Sequence, residues 1–109
     1  MIEYSQNYDI SMVRGDTLPF DVEIQDYEGE VDDFAMTCRA TPNAVAAIFK
    51  KDLEDGISVL DNTYTVRVAP EDTASLDPGV YYYDIQVTID SDVFTPIKGK
   101  LYIDWDVTR

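Results

Sequence analysis

The sequence predicts an all-β fold, an antiparallel β-sandwich of seven to eight strands. Three observations lead to this prediction. Apolar residues recur with a period of two along most of the chain, as half-buried strands require. Turn-forming pairs of Gly, Pro, Asn and Asp separate the alternating runs. No long segment repeats its apolar residues with the period of a helix, so short strands in two packed sheets are the expected architecture.

The alternation places each strand in turn. It is clearest in 79–90, where Ile85 and Val87 fall on the face opposite Tyr82 and Asp84. A proline within the last run predicts a bulge or a break near Pro96. The predicted strands lie near 8–14, 17–25, 34–41, 46–51, 57–60, 63–69, 79–90 and 93–107.

The stretch "PEDTASLDPGVYYYDIQV" indicates which sandwich this is. A proline start followed by acids predicts one short helical turn near 70–76. Pro78 and Gly79 suit the centre of a type II turn, and a tyrosine-bearing strand follows. In the E–F crossing of an Ig-like sandwich a Tyr hydroxyl reaches back to the preceding turn, and Tyr81 or Tyr83 could do this. We therefore expect an Ig-like fold.

Length and charge limit the partners. The chain has 109 residues, which predicts one domain over 1–109, with 1–7 as a flexible N-terminal arm. Its net charge of −14 would repel nucleic acid and anionic membranes and could suit a basic protein. No apolar run approaches the ~20 residues of a membrane span, and no secretory signal precedes residue 10. We therefore expect synthesis in the cytoplasm without export.

Residues for catalysis or metal binding are scarce. The sequence has no histidine and one cysteine, which argues against Ser-His-Asp, Cys-His and zinc sites. Cys38 lies among apolar residues and is expected to be an inert core thiol. Asp90 with Asp92, and Asp104 with Asp106, would share a face on a strand and could hold Ca²⁺, but solvated acidic faces are favoured because no EF-hand loop occurs. We expect no enzyme activity, metal or cofactor.

Three stretches carry a resemblance to a known family. The early "RGDT" with "LPFDVEI", the later "PEDTASLDPGVYYYDIQV" and the closing "GKLYIDWDVT" together resemble small Ig-like proteins of tailed-phage structural modules. These are similar to the N-terminal domain of the phage upper baseplate protein. The resemblance runs from about residue 10 to the end and implies a virion or prophage structural role. The implied partners are other tail or baseplate proteins, or further copies in a homo-oligomer.

The polar sides of the last two strands give a candidate partner-binding face: Tyr82, Asp84, Tyr102 and Asp104. Two other functions stay open. Eight tyrosines and one tryptophan could make a carbohydrate-binding module, with Tyr82 as a stacking platform. The charge of −14 could instead make the chain an acidic inhibitor that mimics nucleic acid.

The tripeptide Arg14-Gly15-Asp16 matches the signal that adhesion proteins present to integrins. It also lies between two alternating runs, 9–13 and 17–24. Gly15 permits a positive φ, and Asp16 can bond a nearby backbone N–H, as a corner between strands requires. We predict that Gly15 and Asp16, like Pro78, Gly79, Tyr81 and Tyr83, are structural corner residues.

Overall fold

The computed structural model describes residues 6–23, 31–61 and 63–107, and side chains from residue 8 onward. Two β-sheets pack face to face with one short helix, so the predicted all-β sandwich is confirmed. The strands are β1 (Gln6–Asn7), β2 (Ile10–Val13), β3 (Leu18–Glu23), β4 (Val31–Arg39), β5 (Phe49–Lys51), β6 (Ile57–Leu60), β7 (Thr63–Val68), β8 (Gly79–Ile89) and β9 (Asp92–Asp104). The helix is α1 (Pro70–Thr73). Within the described ranges no helix has the length and apolarity to cross a membrane.

The larger sheet, sheet A, has the order β1-β9-β8-β4-β5, and β2 also pairs with β9. Strands β1 and β2 run parallel to β9, whereas β9, β8, β4 and β5 are mutually antiparallel neighbours. The smaller sheet, sheet B, has the antiparallel order β3-β7-β6. Helix α1 connects β7 to β8 and so crosses between the sheets at one end of the sandwich.

The core lies between the inward faces that the alternation predicts. Phe34 of sheet A stacks on Tyr64 of sheet B with ring centroids 4.4 Å apart, so this aromatic pair fastens the two sheets together. Cys38 is fully buried, and burial raises the pKa of its thiol from 9.0 to about 12. The thiol is therefore the inert core group expected from the sequence. The other fully buried large side chains are Met36, Val66, Val68, Thr73, Ile85, Val87 and Leu101.

Two differences from the predicted strands have clear causes. The chain forms nine strands within the described residues, because Gln6–Asn7 pairs with β9 and adds a strand where an arm was expected. Residues 1–5 of that arm lie outside the described residues. Strand β9 ends at Asp104 rather than at 107, and Trp105 and Val107 are 70% and 96% exposed instead of lying in the core.

The prediction of a bulge or break at Pro96 is resolved as a bulge. Strand β9 continues through this proline, but its pairing with β8 slips: Ile85 faces Ile97, whereas Val87 faces Phe94. The extra residue on β9 places Pro96 where no ladder N–H is needed, which is how a sheet accommodates proline.

Candidate binding face and the Arg14 corner

The Arg14-Gly15-Asp16 tripeptide forms the corner between β2 and β3. The Asp16 N–H donates to the Val13 carbonyl at 3.1 Å, which closes a tight turn. Gly15 has φ of +79°, a left-handed conformation that other residues adopt at a cost. The Gly15 N–H is buried and donates to the hydroxyl of Thr73 in α1 at 2.9 Å. The corner is therefore tied to the helix below it.

The Arg14 side chain is engaged by its neighbours. Its Nε–H donates to Asp106 Oδ1 at 2.8 Å, and its Nη2 lies 2.7 Å from the same oxygen. Its Nη1–H donates to the Leu76 carbonyl at 3.1 Å, and its guanidinium lies 5.4 Å from the ring centroid of Trp105. Integrin recognition requires a free Arg side chain on an exposed loop. This guanidinium instead joins three segments of the fold, so adhesion is not supported.

The tyrosine corner is formed by Tyr81. Its hydroxyl donates to the Asp77 carbonyl at 2.6 Å, in the segment that leads from α1 into β8. Burial, together with the Asp77 carboxylate, raises the pKa of Tyr81. The type II turn predicted at Pro78-Gly79 is not formed. Pro78 lies in a bend, and Gly79, with φ of +154°, is already the first residue of β8.

Tyr83 contacts the N-terminal segment at the edge of sheet A formed by β1 and β2. It pairs across the ladder with Gly99 of β9, and its hydroxyl donates to the Tyr8 carbonyl. A Cβ at Gly99 would overlap that carbonyl, so the glycine allows the backbone of Tyr8 to approach. Burial, followed by the nearby Asp9 carboxylate, raises the pKa of Tyr83. Tyr83 thus anchors the N-terminal strands, which is a structural role distinct from that of Tyr81.

The outer face of sheet A carries two rows of polar residues across neighbouring strands. In one row, Arg39 of β4 faces Tyr82 of β8, which faces Lys100 of β9. The next row is made by Lys50 of β5, Thr37 of β4, Asp84 of β8 and Lys98 of β9. We call the four cations of these rows, Arg39, Lys50, Lys98 and Lys100, the basic face. They are four of the eight basic residues in a chain with 22 acidic ones.

The cations of the basic face form no ion pair with a described residue, although the Asp9 and Asp84 carboxylates line the same groove. The two ion pairs found among the described residues, Arg14–Asp106 and Lys51–Asp72, both lie elsewhere. Arg39 donates to the carbonyls of Ala44 and Val45 rather than to a carboxylate.

Asp84 is the one acid within the two rows. Burial raises the pKa of its carboxyl, and the nearby Arg39 opposes that shift. The three lysines of the face, Lys50, Lys98 and Lys100, make no ion pair or side-chain hydrogen bond with any described residue. An anionic partner could therefore pair with them without displacing an existing contact.

A groove of about 510 Å³ runs over this face. Its lining combines polar and apolar surface and comes from β4, β8, β9, Pro42 and the Asp9 segment. The lining residues are Asp9, Thr37, Arg39, Pro42, Tyr82, Tyr83, Asp84, Lys98, Gly99 and Lys100. The groove holds aromatic, cationic and anionic groups side by side, which is a surface suited to recognition.

Two of the four predicted partner-binding residues line the groove, and the other two lie outside it. Tyr82 and Asp84 line the groove. Tyr102 is half-buried on the same outer face, one row further along β9, where it faces Val80. Asp104 lies at the end of β9 opposite Val13 and close to the Arg14 corner, so it is not brought into the groove.

The basic residues were not identified as a site from the sequence, because they are distant from one another along the chain. Lys98 and Lys100 did carry a signal, since they alternate with Ile97 and Leu101 and share the side of Tyr102. Arg39 and Lys50 carried none, because only the strand order brings β4 and β5 beside β8.

No metal site emerges in the described ranges. They contain no group of three or more His, Cys, Asp or Glu side chains able to hold an ion. Asp90 and Ser91 have φ of 50° and 72° and form the two-residue turn between β8 and β9, so Asp90 and Asp92 do not share a strand face. Asp106 lies beyond the end of β9 and is paired with Arg14. The Ca²⁺ alternative therefore has no support from this geometry.

Comparison with known proteins supports the fold. No protein-family model matches the chain, and no curated protein sequence does. Among solved structures, the chain is similar to the extracellular domains of the voltage-gated sodium channel beta4 subunit, described as parallel homodimers with a role in cell-cell adhesion. The identity is 8%, the match covers 98% of each chain, and the TM-score is 0.53. The predicted Ig-like sandwich is thereby confirmed.

A second match is the NK cell receptor NKp44, described as a triggering partner in natural cytotoxicity. It shares 16% identity over 95% of this chain and 100% of the receptor chain, with a TM-score of 0.45.

Proposed function

We propose that this chain is a non-catalytic assembly module of a phage or prophage particle, associated with the tail or baseplate. It acts by protein–protein contacts made through the outer face of sheet A. The basic face is the observation that supports this contact surface, because its cations beside Tyr82 form no ion pair with a described residue and can pair with carboxylates of a partner. The particle role is supported by the sequence resemblance of "RGDT", "PEDTASLDPGVYYYDIQV" and "GKLYIDWDVT". The proposed location is the virion.

The groove brings hydroxyl, carboxylate, guanidinium and amine side chains together on one face of sheet A. What the groove offers is recognition, since it presents Tyr82, Arg39 and two lysines on a rigid sheet.

Affinity capture from a phage lysate tests the proposal. The full chain serves as bait beside the Lys98→Glu/Lys100→Glu variant, and Arg67→Glu on the outer face of sheet B is the matched control. We expect tail or baseplate proteins to be captured by the parent chain and by the control, and to be lost with the double variant. Absence of the protein from purified particles, together with no captured tail protein, would refute the proposal.

A carbohydrate-binding module is the second candidate, because Tyr82 sits in the groove with hydroxyl and charged neighbours. A glycan array with and without Ca²⁺ tests it, and binding that disappears in Tyr82→Ala would favour it. Mimicry of nucleic acid needs a continuous carboxylate surface, and the basic face interrupts that surface on sheet A. A steeply salt-dependent complex with a basic nuclease would favour the mimic.

A further inference from the structure

Sheet A carries opposite charges at its two ends. The basic face occupies the rows of Tyr82 and Asp84. At the other end of the same sheet lie three exposed carboxylates, from the start of β4 and from the turn between β8 and β9. We call these residues, Asp32, Asp33 and Asp90, the acidic end. None of them forms an ion pair with a described residue.

The two charged regions are far enough apart to act separately. Asp33 faces Thr88 of β8, four residues beyond the Asp84 row and six beyond the Tyr82 row. At about 3.3 Å per residue these distances are roughly 13 Å and roughly 20 Å. Charges interact over about 8 Å at physiological ionic strength, so the acidic end of one molecule does not neutralise its own basic face.

We propose that the partner of this face is a second copy of the chain, packed outer face to outer face and antiparallel about a two-fold axis. This inference rests on the proposed function, because it names the partner of the same surface. An antiparallel pair lays the acidic end of each copy over the basic face of the other. Both contacts form at once, whereas parallel packing would set lysines against lysines.

The face is large enough for such a dimer. The strands of sheet A have 2, 4, 9, 3, 11 and 13 residues. With strands about 4.8 Å apart and about 3.3 Å per residue, their flat projection measures roughly 670 Å², and the side chains that stand out from the sheet add accessible area to this projection. A stable interface of standard size covers about 800 Å² on each partner. Tyr82, Tyr102, Val80 and Val93 add apolar surface to this area.

The net charge of −14 does not forbid the pairing. Repulsion between two acidic molecules acts at long range and is screened at about 0.15 M salt, whereas apposed charges at contact are screened less. The dimer should therefore persist at about 0.15 M salt and weaken at about 1 M.

Sedimentation equilibrium of the full chain tests the inference. We expect a species of twice the 12.4 kDa chain mass. Two variants reverse one region each: Lys98→Glu/Lys100→Glu on the basic face, and Asp32→Lys/Asp33→Lys at the acidic end. Each variant alone should be monomeric, because like charges then meet at both contacts. An equimolar mixture of the two should form a mixed dimer, because every contact is complementary again.

The control is Arg67→Glu, which changes an exposed base on sheet B and should leave the dimer intact. Circular dichroism melts verify that each variant is folded, and Lys98→Gln/Lys100→Gln replaces the reversal if it is not. A parent chain that stays monomeric, oligomers larger than two, or variants that still dimerise alone would each overturn the inference. A monomeric parent that loses captured tail proteins on Lys98→Glu/Lys100→Glu would refute the dimer and leave the proposed function standing.

Discussion

Arg14 and the lysines of the basic face carry the same charge in opposite settings. The Arg14 guanidinium contacts Asp106, the Leu76 carbonyl and Trp105, and a change there would disturb the fold. The side-chain amines of Lys98 and Lys100 form no ion pair with a described residue, so a change there should disturb only what binds them. The tripeptide around Arg14 is the part of the sequence that most resembles a known signal. The difference teaches that the number of internal contacts, rather than the motif, indicates which cation is available for recognition.

The largest expected effect comes from removing the Arg14 ties. Arg14→Met keeps an apolar stem but removes the Arg14 guanidinium from the Asp106 carboxylate, whose side chain is 8% exposed. Breaking a buried pair costs about 3–5 kcal/mol, and because Arg14 is partly exposed we expect a loss of about 2–4 kcal/mol. Urea unfolding measures it. Arg67→Met, on an exposed base, is the control and should change stability by less than about 0.5 kcal/mol. Equal losses of unfolding free energy in Arg14→Met and Arg67→Met would contradict the structural role of the Arg14 contacts.

A smaller effect is expected one contact away, at Thr73. Thr73→Val preserves shape but removes the acceptor of the buried Gly15 N–H. An unsatisfied buried donor costs about 1–3 kcal/mol. Thr65→Val is the matched control, since the Thr65 hydroxyl donates to Asp21 on an exposed surface. A loss for Thr73→Val no greater than that of the control would show that the corner is not anchored through this hydroxyl.

A substitution of Asp84, which lies between the cations of the basic face, is expected to raise stability rather than lower it. Burial raises the pKa of Asp84 in the folded state above its unfolded value. The protonated Asp84 carboxyl therefore favours the folded state below the unfolded pKa, and this stabilisation is lost as pH rises through the folded pKa. Ionised Asp84 consequently lowers the free energy of unfolding at neutral pH.

Asp84→Asn removes that cost. The variant should gain stability at pH 7 by less than either loss above, and its advantage should shrink toward acidic pH. Unfolding curves at several pH values measure this. Asp104→Asn, an exposed acid at the end of β9, is the control. No gain at neutral pH, or a gain that grows on acidification, would contradict the assignment.

The smallest effect on stability is expected at the lysines themselves. Lys98→Gln/Lys100→Gln removes two exposed charges without internal partners, so unfolding should shift by less than about 0.5 kcal/mol. Binding should nevertheless fall, whether it is measured as dimerisation or as capture of a tail protein. A marked loss of stability with binding intact would show that Lys98 and Lys100 have a structural role like that of Arg14 rather than a role in binding.

Much of the fold could be predicted because alternation determines which side chains face inward. Strand β6 matches its predicted range of 57–60, and β7 ends within one residue of its prediction. The prediction extended β9 too far because Trp105 and Val107 continue the alternation beyond the last paired residue. Alternation cannot show where pairing stops, and here Trp105 lies over Arg14 instead of entering the core.

The candidate site could be predicted only in part. Tyr82 and Asp84 were identified from their side of β8, and they do lie in the groove. Arg39 and Lys50 could not be assigned to the basic face, because their position relative to β8 depends on strand order and register, which are set by contacts distant in sequence. Asp104 shares the alternation of Lys98, Lys100 and Tyr102 yet lies at the sheet end, since alternation gives the face but not the distance along it.

The parallel pairing of β2 with β9 has a consequence for how the molecule forms. Ile10 pairs with Leu101, and Gln6 pairs with Ile97, so the first strands can be seated only after the last strand exists. Contacts this distant in sequence must close a loop of nearly the whole chain, which slows folding. Until β9 is in place, β1 and β2 have no neighbour in the sheet. During synthesis β1 and β2 should therefore remain unpaired until β9 has been made, and their pairing with β9 should be a late step of folding.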